Sequence, residues 1–321
     1  MTAETQQTSP LFAWAQLVRL PNVFTVVADV SAAFLLAAHG PSPAARWICV
    51  LAAGISLYWA GMILNDVFDI ERDRAERAKR PLPSGRISLA AARTAGWALL
   101  GLGVILGSLS GYLPSESVAT TWLPAAIATL LAVMIVAYDG PLKKTPLAPA
   151  AMGACRVLSF LLGASPVIVV QADGPLIPLH LVAIALGFGI YITGITTMAR
   201  DEAAGGDDTN LKVGLSLLVI GLLALAFAPQ QAPAGFPKFI RTPFAFPLLI
   251  AMIAYPVVLR GIRCVRHATP QNVQTTIRSG ILTIIPLAAA VAMLGAGPLW
   301  GLAIFALVIP AIGLASAFRV T

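Results

Sequence analysis

Ten long apolar runs recur from one end of this chain to the other, at roughly 22–38, 47–64, 95–113, 122–138, 148–170, 176–199, 211–228, 243–260, 279–296 and 298–318. Many reach the ~20 residues with which an α-helix crosses the hydrocarbon of a bilayer. Only 11% of the 321 residues are charged, against about 25% in a typical soluble domain. The chain therefore reads as all-α, a polytopic membrane helical bundle forming a single domain over 1–321. The last two runs meet at Ala296-Gly297-Pro298, so nine or ten transmembrane helices are expected. Residues 1–10 form a polar tail without the basic stretch of a leader, and the first run is expected to remain as a transmembrane helix.

The net charge is +7, yet the basic residues lie between membrane segments with no aromatic-interleaved surface, which argues against a nucleic-acid partner and leaves the lipid bilayer as the surrounding medium. Cys49, Cys155 and Cys264 are isolated and odd in number, a poor disulfide framework, and read as packing residues. His39, His180 and His267 form no metal-binding motif.

Lysine and arginine placement sets the orientation. Arg72, Arg74, Arg77, Lys79, Arg80, Arg86 and Arg93 share one inter-segment loop; Lys143 with Lys144, Arg200 with Lys212, and Arg260, Arg263, Arg266 and Arg278 follow on the same side. The other side holds Arg46, Lys238 and Arg241. The N-terminus and every unusual polar loop are therefore expected at the cytoplasmic face of the cytoplasmic membrane. Gly103, Gly107 and Gly111 recur every four residues, a spacing for close helix packing in lipid. Pro124, Pro166, Pro256, Pro286 and Pro310 suggest kinks.

Three polar constellations interrupt this pattern. In the first, the second run ends in Asn65-Asp66-Val67-Phe68-Asp69-Ile70-Glu71-Arg72-Asp73. On a continuing helix Asp66, Asp69 and Asp73 share one face. Stacked carboxylates repel, and a hard cation such as Mg²⁺ relieves them, binding through a few carboxylates plus the phosphates of a substrate. The second, Tyr138-Asp139-Gly140-Pro141-Leu142-Lys143-Lys144, is followed by Arg156 inside the next run; lysine suits phosphate as a point charge, arginine as a planar fork. An intramembrane charge such as Arg156 is a functional candidate by default. The third closes the sixth run as Met198-Ala199-Arg200-Asp201-Glu202-Ala203-Ala204-Gly205-Gly206-Asp207-Asp208. Asp29, in the middle of the first run, should face a polar cavity or meet a cation, as an acceptor-binding group or a structural hydrogen bond.

Together these groups describe a reaction. Two acidic clusters at helix ends can hold Mg²⁺ against a diphosphate, and Arg77, Arg80, Lys143, Lys144 and Arg156 can neutralise the departing charge. A lipid-soluble tail would stay in the apolar interior, where an allylic carbocation is shielded from water. No Ser-His-Asp or Cys-His nucleophile is evident.

The motif Asn65-Asp66-x-x-Asp69-x-x-x-Asp73-x-x-x-Arg77-x-x-Arg80-Pro81-x-Pro83-x-Gly85 resembles the first signature of the UbiA intramembrane prenyltransferase superfamily. Leu17-x-Arg19-x-Pro21-Asn22 resembles its approach to helix 1, and Tyr138 to Lys144 its loop between helices 4 and 5. The resemblance covers nearly the whole chain. It implies a bundle, commonly of nine spans, around a central cavity, and Mg²⁺-dependent transfer of a prenyl group from an isoprenyl diphosphate to a lipophilic or aromatic acceptor. By the same resemblance Asp66, Asp69, Asp73 and Glu202 are the catalytic acids. Asn65, Asp66, Asp69, Asp73, Asp201 and Glu202 would hold metal, and Asn65, Arg77, Arg80, Lys143, Lys144, Arg156 and Arg200 the diphosphate. Asp29, Asn22 and Tyr138 would line the acceptor cavity.

The second signature departs from the superfamily pattern, because Gly205 stands four residues after Asp201. Arg200-x-Glu202-x-x-Gly205-Gly206, Ala28-Asp29, Pro81-x-Pro83-Ser84-Gly85-Arg86 and Met152-Gly153-x-Cys155-Arg156 resemble the EboC-like branch, associated with secondary metabolism. There Glu202 replaces an aspartate, with Asp201, Asp207 and Asp208 in reserve. The altered motif keeps a second reading open: a non-catalytic carrier or scaffold for an isoprenoid or amphipathic precursor. Phosphotransfer of the phosphatidyltransferase kind would want DGxxAR…GxxxD, which is absent.

Overall fold

The structure, a computed structural model, describes residues 9–170, 174–200, 208–233 and 235–317, which contain helices and no strands. A short α1 (Pro10–Leu17) precedes α2 (Val23–Ala38), α3 (Ala44–Phe68), α4 (Ile70–Glu76), α5 (Leu89–Tyr112), α6 (Leu123–Ala137) and α7 (Ala148–Ala164). Then come α8 (Leu179–Ala199), α9 (Asp208–Phe227), α10 (Ala245–Arg266), α11 (Pro270–Ala296), α12 (Pro298–Phe305) and α13 (Val308–Ala317). Among the described residues, ten helical stretches are long and apolar enough to cross a membrane.

The helices close a ring. α2 packs on α3, α3 on α5, α5 on α6, α6 on α7, and so on through α8, α9 and α10 to α11, which returns to α2. α2 is buried along its length, from Val26 through Leu36, so it runs through the core. α5 and α10 instead carry exposed Ile105, Leu109, Leu248 and Met252, apolar faces suited to lipid.

Apolar runs located the spans but not the polar turns that extend them. α5 already begins at Leu89, capped by Ser88 Oγ accepting from Ala91 N at 3.2 Å. α11 begins at Pro270, capped by Thr269 Oγ1 accepting from Asn272 N at 3.2 Å. Both caps satisfy a helix donor that would otherwise lack an acceptor. The final pair of runs resolves into separate elements. α12 starts at the far end of α11, where Trp300 meets Trp47 edge to face at 5.5 Å. α13 then packs beside Leu20–Asn22 at the opposite end, so α12 and α13 together recross the bundle as the tenth stretch.

The glycine stripe on α5 packs as its spacing suggests. A Cβ on Gly103 would lie 2.6 Å from Leu57 Cγ, and one on Gly111 2.2 Å from the Thr121 carbonyl oxygen. Two prolines differ from the expected kinks: Pro124 stands in the first turn of α6 and Pro166 in the 3₁₀ turn after α7. The missing N–H matters little at a helix start.

Arg46 is fully buried in the first turn of α3. Its guanidinium donates to the carbonyls of Leu113 (2.9 Å), Ala119 (3.0 Å), Val118 (3.1 Å) and Pro166 (2.8 Å). Those carbonyls belong to the α5–α6 connection and the end of α7, so one side chain ties three segments. Arg46→Met would orphan buried acceptors at about 1–3 kcal/mol each. The expected outcome is a markedly lower unfolding temperature in detergent, read by intrinsic fluorescence.

Candidate functional site

The acidic stretch runs across the junction of α3 and α4, where the helix is interrupted at Asp69. Asp69 leaves ideal helical geometry (φ −89°, ψ 5°), yet Asp69 N still donates to Asn65 O at 3.1 Å and Asp73 N to Asp69 O at 2.9 Å. Asp66 and Asp73 thereby stay on one face, both buried, and both reach the same nitrogen: Arg80 Nη1 lies 2.7 Å from Asp73 Oδ2 and 3.5 Å from Asp66 Oδ1. Arg19 Nη2 approaches the same Asp66 oxygen at 3.5 Å, and Lys143 Nζ pairs with Asp69 Oδ2.

Each cation arrives on its own segment. Arg80 rides the loop after α4, held down by a small satellite core in which Leu82 and Ile87 pack with Leu17, Val67 and Ile70. Gly85 (φ 75°) turns that loop, a conformation favourable to glycine, and Arg86 pins it to Gln16 Oε1 (3.0 Å) and Lys79 O (2.9 Å). Arg19 adopts the left-handed region (φ 49°, ψ 54°) just before α2, uncommon for a non-glycine residue. Lys143 follows a wide π turn, Tyr138–Leu142, a form frequent at functional sites.

That π turn carries a carboxylate the motif reading left unassigned. Asp139 is buried, with Oδ1 accepting from Asn65 Nδ2 at 2.9 Å. Its Oδ2 is buried with no hydrogen-bond partner among the described residues. The sequence signal was an acid directly after Tyr138 in an otherwise basic loop. Asn65 thus directs its amide N–H at Asp139, and its carbonyl oxygen is the atom that could meet a metal.

Beneath this mouth lies a cavity of about 360 Å³. Arg19, Asn22, Tyr138, Asp139 and Arg156 are part of its polar lining, and Leu57, Ile135, Ile192 and Ile281 are part of its apolar wall. Cys155 lines it too, while packing against the main core as the sequence suggests. Asp29 does not line it. Asp29 is fully buried behind Arg156, which pairs with Asp29 Oδ2 and approaches Thr25 O at 3.4 Å and Thr25 Oγ1 at 3.3 Å. Ser159 Oγ donates to the same carboxylate oxygen at 3.4 Å. Of the two roles open to Asp29, the geometry matches the structural hydrogen bond. Arg156 keeps only part of its fork for a ligand.

Other expected residues lie apart. Arg77 and Lys144 are exposed. Arg200, also exposed, donates to Pro146 O at 3.3 Å. Asp201, Glu202 and Asp207 lie outside the described residues, as does the side chain of Asp208, whose backbone opens α9. Among the described residues no three His, Cys, Asp or Glu side chains converge as a metal group. The chemistry of the first cluster nonetheless fits a hard cation: its donors are carboxylate oxygens, and two of them already share a cationic nitrogen.

A family model described as the UbiA prenyltransferase family matches residues 25–276. The digeranylgeranylglyceryl phosphate synthase of Methanoculleus marisnigri is 29% identical over 288 residues, 84% of this chain and 95% of the relative. The enzyme of the same name from Methanothermobacter thermautotrophicus is 31% identical over 260 residues, 75% of this chain and 84% of the relative. In fold, a UbiA homolog from Aeropyrum pernix K1 superposes with a TM-score of 0.60 at 20% identity, covering 84% of this chain and 96% of that one. A UbiA homolog from Archaeoglobus fulgidus, bound to GPP and Mg²⁺, superposes with a TM-score of 0.58 at 15% identity, covering 92% and 99%.

The Asp29–Arg156 pair gives a separable test of structure. Arg156→Met strands a buried carboxylate and is expected to destabilise by about 3–5 kcal/mol. Combining it with Asp29→Leu should restore most of that loss, as a double-mutant cycle of denaturant unfolding in detergent would show.

Proposed function

The chain belongs to the UbiA prenyltransferase family, and from that premise we propose that it is a Mg²⁺-dependent enzyme of the membrane interior. It moves a prenyl group from an isoprenyl diphosphate to a lipophilic acceptor and releases pyrophosphate. The observation that carries this reading is the mouth itself, where Asp66, Asp69 and Asp73 interleave with Arg19, Arg80 and Lys143 above an apolar cavity.

Asp66, Asp69 and Asp73 would hold Mg²⁺, which would supply the positive charge that stabilises a departing diphosphate. Arg19, Arg80 and Lys143 bind and orient the phosphate oxygens, and the electron pair of the broken carbon–oxygen bond leaves with them. The walls formed by Leu57, Ile135, Ile192 and Ile281 accommodate the prenyl chain and exclude water from the allylic carbon while the acceptor attacks. Asn22 and Tyr138, on the same cavity wall, orient the acceptor. The acceptor's proton passes to the released pyrophosphate as the new bond forms.

For the acceptor, the relatives' name is the guide: their product carries two geranylgeranyl groups on glyceryl phosphate. We therefore favour a hydroxyl-bearing lipid, with aromatic acceptors as the competing class. Placement in the EboC-like branch and a part in secondary metabolism rest on motif likeness alone. The arginine-rich loops support a mouth on the cytoplasmic side. The departure at Gly205 favours one other reading, a carrier that binds an isoprenoid without transferring it.

Purified protein with Mg²⁺, geranyl or geranylgeranyl diphosphate and either geranylgeranylglyceryl phosphate or a phenolic acceptor should release pyrophosphate. Asp66→Asn with Asp69→Asn should lower that release by about 100-fold or more, and chelation by EDTA should abolish it. Release that survives both treatments overturns the assigned site. Pathway complementation in cells by the double variant would favour the carrier.

A further inference from the structure

Every carboxylate of the first cluster has one of this chain's own cations against it. Asp73 is met by Arg80 at 2.7 Å, Asp66 by Arg80 and Arg19 at 3.5 Å each, and Asp69 by Lys143. These contacts are largely withdrawn from water: the side chains of Asp66 and Asp73 are 8% and 4% exposed, those of Asp69 and Lys143 19% and 21%. Screening by solvent is correspondingly weak.

The same six groups would have to serve a metal–diphosphate pair, and that sets up a competition. A divalent cation arriving alone meets oxygens whose charge is already answered, and must expel a guanidinium or an ammonium from a partly dry site. A diphosphate arriving alone meets donors already committed to carboxylates. A metal–diphosphate pair can exchange partners: the carboxylates pass to the metal as the basic groups pass to phosphate, and no charge is left unpaired. Ion pairs of this kind cost most when only one partner is removed.

Resting on the reading of the chain as a user of prenyl diphosphates, we propose that Arg80 and Lys143 are specificity determinants that make the site take metal and diphosphate together and reject either alone. Arg19 contributes in the same sense. It is the least fixed of the three, with 41% of its side chain exposed. The two principal cations sit on separate segments, the loop after α4 and the turn after α6, so each can move without unfolding a helix.

The experiment uses the full chain in nanodiscs and Mn²⁺ as a spectroscopic probe, with geranyl thiolodiphosphate as a slowly reacting donor. Free Mn²⁺ is read by electron paramagnetic resonance after allowing for the complex formed in solution. Wild type should bind Mn²⁺ alone at least about fivefold more weakly than with the donor, within the usual range of coupling between two ligands. Arg80→Gln and Lys143→Gln should each tighten Mn²⁺ binding in the absence of donor, and the enhancement given by donor should shrink. Arg80→Lys and Lys143→Arg keep the competing charge and should behave as wild type, which controls for misfolding. Metal-alone affinity that is unchanged or weaker in both glutamine variants overturns the competition while leaving the diphosphate reading intact. Wild type that takes up no Mn²⁺ even with donor present overturns the diphosphate reading itself, and the competition with it.

Discussion

A charge inside a membrane protein must be met by another group of the protein, and that constraint organises this bundle from one face to the other. Asp29 and Arg156, on α2 and α7, neutralise each other. Asn65 joins α3 to Asp139 after α6. Asp66, Asp69 and Asp73 draw in Arg19, Arg80 and Lys143 from three further segments. At the far face the same requirement is met without an acid, by four backbone carbonyls around Arg46. Within lipid the hydrophobic effect does little to choose among helix neighbours. Polar pairs of long sequence separation, with the close approach allowed at Gly103 and Gly111, specify which helix lies beside which.

The two faces divide the work. Around Arg46 the partners are backbone carbonyls in connecting segments, so the interaction has a fixed geometry and no group that a ligand could exchange for. At the mouth every partner is a side chain on a loop or helix end. A network of that kind can be rearranged by a ligand that offers the same charges, whereas a carbonyl cage cannot. Burial alone does not separate the two, since Arg46 and Asp66 are both buried.

Much of this was legible in the sequence, and the reason is local. Apolar runs mark spans because lipid imposes one length on every helix, and helical periodicity marks Asp66 and Asp73 as neighbours on one side, although the helix is interrupted between them at Asp69. The polar first turns of α5 and α11 escaped, since an apolar window does not see a helix that starts in water. Pairings escaped for a different reason. Nothing near Asp29 in sequence indicates Arg156, 127 residues away, and nothing near Arg46 indicates Pro166, 120 residues away. Asp139 was visible as an odd acid in a basic loop, but its burial and its bond to Asn65 are tertiary facts. So is the left-handed backbone of Arg19, which aims that side chain at Asp66.

The pairings also explain why a chain with so many basic residues would still need a metal ion. Arg19, Arg80 and Lys143 answer Asp66, Asp69 and Asp73 one for one, and Arg156 is taken by Asp29. The cations gathered at the mouth are therefore balanced before a polyanion arrives, and transferring any of them to phosphate exposes a carboxylate in a poorly hydrated place. Side chains alone cannot resolve that conflict, because the number of charges is fixed by the sequence. On the proposed function, a divalent ion held there would satisfy the released carboxylates and still carry charge toward the diphosphate. The first cluster is then what would make the metal necessary.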